Sequence, residues 1–222
     1  MILFLLICAA LSLTALVISH ALQYPKLSAA LKVTTSSLLV IYCVHLSLQQ
    51  PSTYSLLITI AILLGALGDV CLVSKKKLYF IAGLSAFLLG HLFFIAAFFQ
   101  FEFRAEEVIA GLIPLGITMY ALFNHIKGNI DSTVMKAAVV IYMITIGIMT
   151  AIALSIRVNG EHTLIGLGAL LFLLSDYFVA NNRFKKTKLY NRAIGLPLYY
   201  SAQFILATTI IILQTNSRWL PV

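Results

Sequence analysis

Acidic residues are scarce in this chain. Asp and Glu number 7 among 222 residues, and charged residues together make up 10%. A soluble domain carries about a quarter charged residues, so an ordinary water-soluble fold is excluded. Cysteine is scarce too: Cys8, Cys43 and Cys71 lie singly in different apolar runs, with no C-x-x-C and no His/Cys spacing. Neither a disulfide framework nor a structural metal is expected. G-x-S-x-G, a Walker loop, H-E-x-x-H and a dinucleotide fingerprint are all missing, which removes most named hydrolase and nucleotide chemistries. The net charge of +8 invites a nucleic-acid partner, but Lys and Arg are spread over the breaks between apolar runs rather than gathered on one face. No nucleic-acid partner is expected.

What the chain does have is length of apolar run. It is 61% hydrophobic, with a mean hydropathy of +1.02. Punctuation by Gly, Pro, Asn and charged residues divides it into eight apolar segments, 2–22, 28–48, 54–73, 78–100, 107–123, 134–158, 162–181 and 193–213. Each approaches the ~20 residues a helix needs to cross a bilayer. Backbone groups in lipid must bond within their own segment, and no ten-residue alternating barrel pattern occurs. The expected fold is therefore all-α: a polytopic bundle of eight transmembrane helices, forming one membrane domain over residues 1–222. Met1–Ser19 is apolar from its second residue and has no basic n-region, so it reads as a retained first span rather than a signal peptide.

Orientation follows from the basic residues. Lys26, Lys32, Lys75, Lys76, Lys77, Lys127, Lys136, Arg183, Lys185, Lys186, Lys188 and Arg192 fall on one side, and only Arg104, Arg157 and Arg218 on the other. The positive-inside rule places the first group in the cytoplasm and both termini outside.

Two carboxylates stand inside the spans. Asp69 lies near the end of the third run and Asp176 near the end of the seventh; the other five acids fall in or beside polar breaks. An intramembrane carboxylate costs ~2.5–3.5 kcal/mol on insertion scales, and it marks a functional site by default. At ~1.5 Å per residue, Asp69 is ~9 Å from Lys75 and Asp176 ~10 Å from Arg183, both at the cytoplasmic edge. Tyr142 is ~9 Å deep, Tyr200 ~12 Å, Gln203 ~16 Å and His91 ~21 Å. Asp69 and Asp176 are expected to meet across one cavity open to the cytoplasmic half. Two carboxyls in a low-dielectric site separate in acidity, so that one serves as acid and the other as base.

Each of these residues also has a plainer reading. Asp69 could snorkel to nearby lysines, and Asp176 could pair with Lys32 or Arg183. Gly65 and Gly68 could be simple packing residues, and His91 a histidine bonded to a backbone carbonyl. Tyr142, Tyr199 and Tyr200 could be interfacial anchors, although their depth, and the shared face of Tyr200 and Gln203, favour a polar pocket wall. Lys32 could bind a lipid phosphate or simply set topology.

Spans three and four also resemble seven and eight. An aspartate ends the first helix of each pair, a lysine cluster and Leu-Tyr follow, and Gly-Leu opens the next helix. Aligning Gly83 with Gly195 sets Phe87 on Tyr199 and His91 on Gln203, the pattern of a parallel 4+4 repeat.

Lys32, G-x-x-G-D at Gly65–Asp69, F-x-x-G-L-x-A-F-x-x-x-H at Phe80–His91, Tyr142 and Met149, G-A-x-x-F-x-x-S-D at Gly168–Asp176, and Y-x-x-A-Q at Tyr199–Gln203 occur in that order. In these residues the chain resembles the YhhN-type lysoplasmalogenase family of integral membrane proteins. Val33 departs from the proline the family pattern has after the lysine. The resemblance implies hydrolysis of the vinyl ether bond of lysoplasmalogens without metal or cofactor, in a bacterial inner or plasma membrane. Asp69 and Asp176 would be the catalytic pair, and Lys32, His91, Tyr142, Tyr199, Tyr200 and Gln203 would bind substrate. The partners would be the lysophospholipid and the surrounding membrane lipids. A proton-coupled transporter would also use two intramembrane aspartates and a repeat, and an aspartyl protease would pair them. However, Gly-Ala-Leu-Gly-Asp and Ser-Asp are not the protease motifs.

Overall fold

A computed structural model describes residues 1–74, 76–130, 132–158, 161–162, 164–185 and 188–217, with side chains undescribed at 158, 161–162 and 213–217. Lys75, Lys186 and Arg218, which entered the charge asymmetry, lie outside the described residues, as do Asp131 and Thr163.

The described chain is helical almost throughout. The helices are α1 (Ile2–Ala21), α2 (Pro25–Gln49), α3 (Thr53–Val73), α4 (Lys77–Phe98), α5 (Ala105–Ile126), α6 (Thr133–Ser155), α7 (Leu164–Phe184) and α8 (Leu189–Ser217). All eight are long and apolar enough to cross a membrane, as the apolar runs require. Many large apolar side chains point outward, Leu3, Leu48, Ile117 and Tyr120 among them. An aqueous surface would not favour that, whereas a lipid one does. This is a multi-pass membrane protein.

Local chemistry sets the helix limits. Pro25 occupies the first turn of α2, where its missing N–H is not needed, so α2 starts three residues before its apolar run. Ser52 and Ser55 cap α3 reciprocally, each side chain bonded to the other's backbone N–H. Glu106 and Glu107 open α5, next to the positive end of its dipole. Between α1 and α2, Gln23 takes a left-handed conformation, φ 59°. The N–H groups of Gln23 and Tyr24 bond back to the carbonyls of His20 and Ser19, a closure in which glycine is usual.

The sixth run ends sooner than its hydropathy suggests. α6 stops at Ser155, and Arg157–Val158 (β1) pairs antiparallel with Glu161–His162 (β2). Arg157 is the reason. Its guanidinium donates to both Glu107 carboxylate oxygens, at 3.1 and 3.2 Å, and Arg104 lies 3.6 Å from the same carboxylate. Helical continuation would have carried that charge away from Glu107.

The described residues form two compact units. One holds residues 1–100 together with α8 from Gln203 onward; the other holds residues 101–202. In the first, Leu16, Leu39, Leu46, Ile58, Ile62, Phe94 and Phe98 are fully buried. There Tyr42 bonds Thr208 at 2.8 Å and Tyr54 bonds Thr209 at 2.6 Å. In the second, Leu122, Ile126, Ile130, Val139 and Met143 form a core cluster. Several hydroxyls within the spans bond a carbonyl of their own helix, as Thr35 does to Leu31, Thr59 to Ser55, Thr145 to Ile141 and Thr150 to Ile146.

Candidate functional site

Asp69 sits in the last turn but one of α3 and is 2% exposed. α3 and α4 pack closely because glycines line their contact. A Cβ at Gly68 would come within 2.6 Å of the Phe87 ring, one at Gly83 within 3.2 Å of the Gly68 carbonyl oxygen, and one at Gly90 within 3.1 Å of the Ala61 carbonyl. This wall fixes the turn that carries Asp69. On its other side, α2 supplies Lys32 and Ser36, four residues apart and hence on one helical face. Lys32 Nζ lies 3.0 Å from Asp69 Oδ1, and Ser36 donates its hydroxyl to Oδ2 at 2.6 Å. Both carboxylate oxygens therefore have donors. Lys32 was read from the sequence as a phosphate or topology residue; its ammonium is engaged by Asp69. Ser36 was missed, and its spacing from Lys32 was the only signal that could have found it.

Asp176, on α7, is partly exposed and accepts a hydrogen bond at 2.7 Å from the hydroxyl of Tyr142 on α6. The preceding Ser175 is turned away, bonded to the Phe172 carbonyl. One turn before Asp176, Phe172 meets Tyr199 of α8 edge-on, with ring centroids 5.4 Å apart, and Tyr199 contacts Tyr200 at 4.9 Å. Gly195 brings α8 against this turn: a Cβ there would lie 2.9 Å from the Phe178 Cβ and 3.7 Å from the Ser175 carbonyl oxygen.

His91 and Gln203 lie farther along. Each is eight residues, ~12 Å of helix, beyond the glycine of its own helix that abuts an aspartate turn (Gly83 and Gly195). His91 Nδ1 bonds the Phe87 carbonyl within α4, the plainer of its two readings. Gln203 is 1% exposed, and neither of its amide atoms has a hydrogen-bond partner among the described residues.

The expected residues thus fall into local groups: Lys32 and Ser36 at Asp69; Tyr142 at Asp176; and Tyr199 and Tyr200 packed one turn from Asp176. In the first two groups a carboxylate accepts a hydrogen bond from a hydroxyl on a neighbouring helix. The YhhN family profile matches residues 27–210, which include every one of these side chains. The chain belongs to the YhhN family.

Among proteins similar to this YhhN member is lysoplasmalogenase TMEM86A of Homo sapiens, 30% identical over 158 residues, covering 68% of this chain and 63% of that protein. A lysoplasmalogenase homolog of Dictyostelium discoideum is 24% identical over 199 residues, covering 73% and 65%. A lysoplasmalogenase of Mycobacterium tuberculosis is 28% identical over 145 residues, covering 64% and 54%. The chain therefore spans less than two thirds of the length of each of these relatives. No solved structure matches it.

Proposed function

We propose that this protein hydrolyses the vinyl ether bond of lysoplasmalogens, giving a fatty aldehyde and glycerophosphoethanolamine or glycerophosphocholine. The observation that carries the reading is a pair of intramembrane carboxylates, each held by hydrogen-bond donors, in a YhhN chain whose similar proteins bear the name lysoplasmalogenase. The comparisons lend no support to a transporter.

The chemistry suits these groups. Hydrolysis of a vinyl ether begins with protonation of the alkene carbon distal to oxygen, which leaves an oxocarbenium ion. A neutral carboxyl supplies that proton, and an ionised carboxylate stabilises the cation and deprotonates the attacking water. The hemiacetal then collapses to aldehyde and alcohol. A single-chain lipid would lay its tail among the helices, with its headgroup toward the cytoplasmic basic residues.

The test is to incubate the purified protein with a lysoplasmalogen and to look for fatty aldehyde by mass spectrometry. Asp69→Asn and Asp176→Asn should each lower kcat by about 10²–10⁴-fold while leaving an extractable, folded protein. The saturated alkyl-ether analogue, which forms no oxocarbenium ion on protonation, should bind without reacting. Release of free fatty acid from the acyl-ester lysolipid at a comparable rate would replace this reading with a lysophospholipase.

A further inference from the structure

We infer that the groove between α5 and α6 holds one acyl chain of an anionic phospholipid, with the lipid phosphate at Lys127 and Lys136. The site lies wholly within residues 101–202, and it does not rest on the hydrolytic reading above. Tyr142 leaves α6 toward α7, where it bonds Asp176, and takes no part in lining the groove.

The groove exists because α5 and α6 meet at two places and part between them. Toward one end, a Cβ on Gly111 would lie 3.8 Å from the Ala151 Cβ. Toward the other, Leu122 and Ile126 pack with Val139 and Met143. Between these contacts lies a cavity of about 280 Å³, bordered from Leu112 to Phe123 on α5 and from Val140 to Ile148 on α6. Glycines make it deep. Gly147 is buried, yet a Cβ there would meet no neighbouring atom within 4 Å, and one at Gly116 would meet none either. Apolar side chains and Tyr120 line the space, so water finds few hydrogen-bond partners in it. An apolar cavity of about 150 Å³ takes a benzene ring. One nearly twice as large, ~16 Å long and flanked by membrane spans, suits a single alkyl chain.

Charge at one end selects the headgroup. Lys127 follows Gly116 by eleven residues, and Lys136 precedes Gly147 by eleven. Eleven residues make about three helical turns, so each lysine shares the face of its glycine; Lys127, at φ −53° and ψ −32°, continues the α5 backbone. The chain reverses between the two helices, so both lysines stand at the same end of the groove, ~16 Å from the glycines. Lysine stems lie along apolar surface while their ammonium groups reach headgroup level, and basic clusters between spans bind anionic headgroups. Neither lysine pairs with a carboxylate among the described residues, and the connection carries one acid, Asp131, against these two cations. Each lysine near an anionic headgroup is worth about fivefold in binding. The lipid also has a structural use. Among the described spans α5 is the least buried, and a chain in the groove supplies packing that α6 alone does not.

Native mass spectrometry of the full-length protein in detergent, with phosphatidylglycerol or phosphatidylcholine added, reads the site. The wild type should retain one phosphatidylglycerol at least tenfold more tightly than phosphatidylcholine. Its unfolding temperature should rise with phosphatidylglycerol and not with inorganic phosphate. Lys127→Gln combined with Lys136→Gln should erase the preference while leaving the weaker phosphatidylcholine adduct. Gly147→Leu and Gly116→Leu each put a side chain into the groove, and each should lose both adducts. Without lipid, neither should unfold below the wild type, because the added side chain displaces nothing. Equal retention of the two lipids by the wild type overturns the proposal, as does full retention of phosphatidylglycerol by a folded glycine variant. Should both glycine variants unfold early, the lysine pair decides, and an unchanged preference there overturns it. Stabilisation by inorganic phosphate alone would make the ligand a free anion. A dimer that Gly147→Leu dissolves would make the groove an interface between copies of this chain. Either result replaces the lipid.

Discussion

A buried polar group left without a partner costs about 1–3 kcal/mol, and at Gln203 both amide atoms stand so among the described residues. We propose that the amide meets a ligand supplying a donor and an acceptor, as a lysolipid's glycerol does. Gln203→Met, similar in volume and free of the amide, should raise the unfolding temperature of the detergent-solubilised protein, by about 2–4 °C for each kcal/mol recovered. It should also lower kcat/KM at least tenfold; an unchanged kcat/KM would assign the amide to buried water. At this scale the sequence exposes polar residues and hides their partners. Asp69, Asp176, Lys32 and Tyr142 are conspicuous because each interrupts an apolar run. Which donor meets which carboxylate depends on helix rotation and neighbour choice, and spacing within one helix does not encode those. Hence the sequence does not announce that Lys32 and Ser36 meet Asp69, or that Tyr142 meets Asp176.

Helices were the most legible elements, because apolar length is a direct record of bilayer thickness. Their ends were less so. Gln23 closes α1 where no glycine announces a stop, and α6 yields to a short hairpin because Arg157 reaches Glu107. The glycine contacts lie between these extremes: small residues beside Asp69 suggest close approach, but only the structure names Phe87 as the side chain that fills it. Gly68→Ala sets a methyl against that ring, and overpacking of this kind costs about 1–3 kcal/mol. It should lower the unfolding temperature, and adding Phe87→Leu should recover most of the loss. A double mutant no more stable than Gly68→Ala would show that the ring is not what the methyl meets. Gly83 against the Gly68 carbonyl and Gly195 against the Ser175 carbonyl form a matched pair: in each, the glycine faces the residue just before an aspartate. That correspondence is what a duplicated helix pair would leave behind, and it favours the parallel repeat as a proposal.

For the whole molecule, the twelve-to-three bias of basic residues is the strongest global signal in the chain. We propose from it that both termini face away from the cytoplasm. On a background lacking Cys8, Cys43 and Cys71, a cysteine at Lys185 should react with an impermeant maleimide only after the membrane is opened. One at Arg104 should react in intact cells or spheroplasts. The reverse pattern would invert the topology and, with it, the side from which substrate enters.

The habit of the span hydroxyls, bonding a carbonyl one turn back in their own helix, bears on how the protein is made. Such a helix presents few unmet polar groups to lipid even when it stands alone. Insertion and assembly become separable events, and the order in which the ribosome delivers the spans need not be the order in which they pack. Other polar contacts need a neighbouring helix to complete them, among them Lys32 and Ser36 with Asp69, Tyr142 with Asp176, Tyr42 with Thr208 and Tyr54 with Thr209. Those at Asp69 and Asp176 are the groups proposed for catalysis. On the proposed hydrolytic reading, a newly inserted chain gains its carboxylate contacts only as its helices join, and a half-assembled one leaves them incomplete.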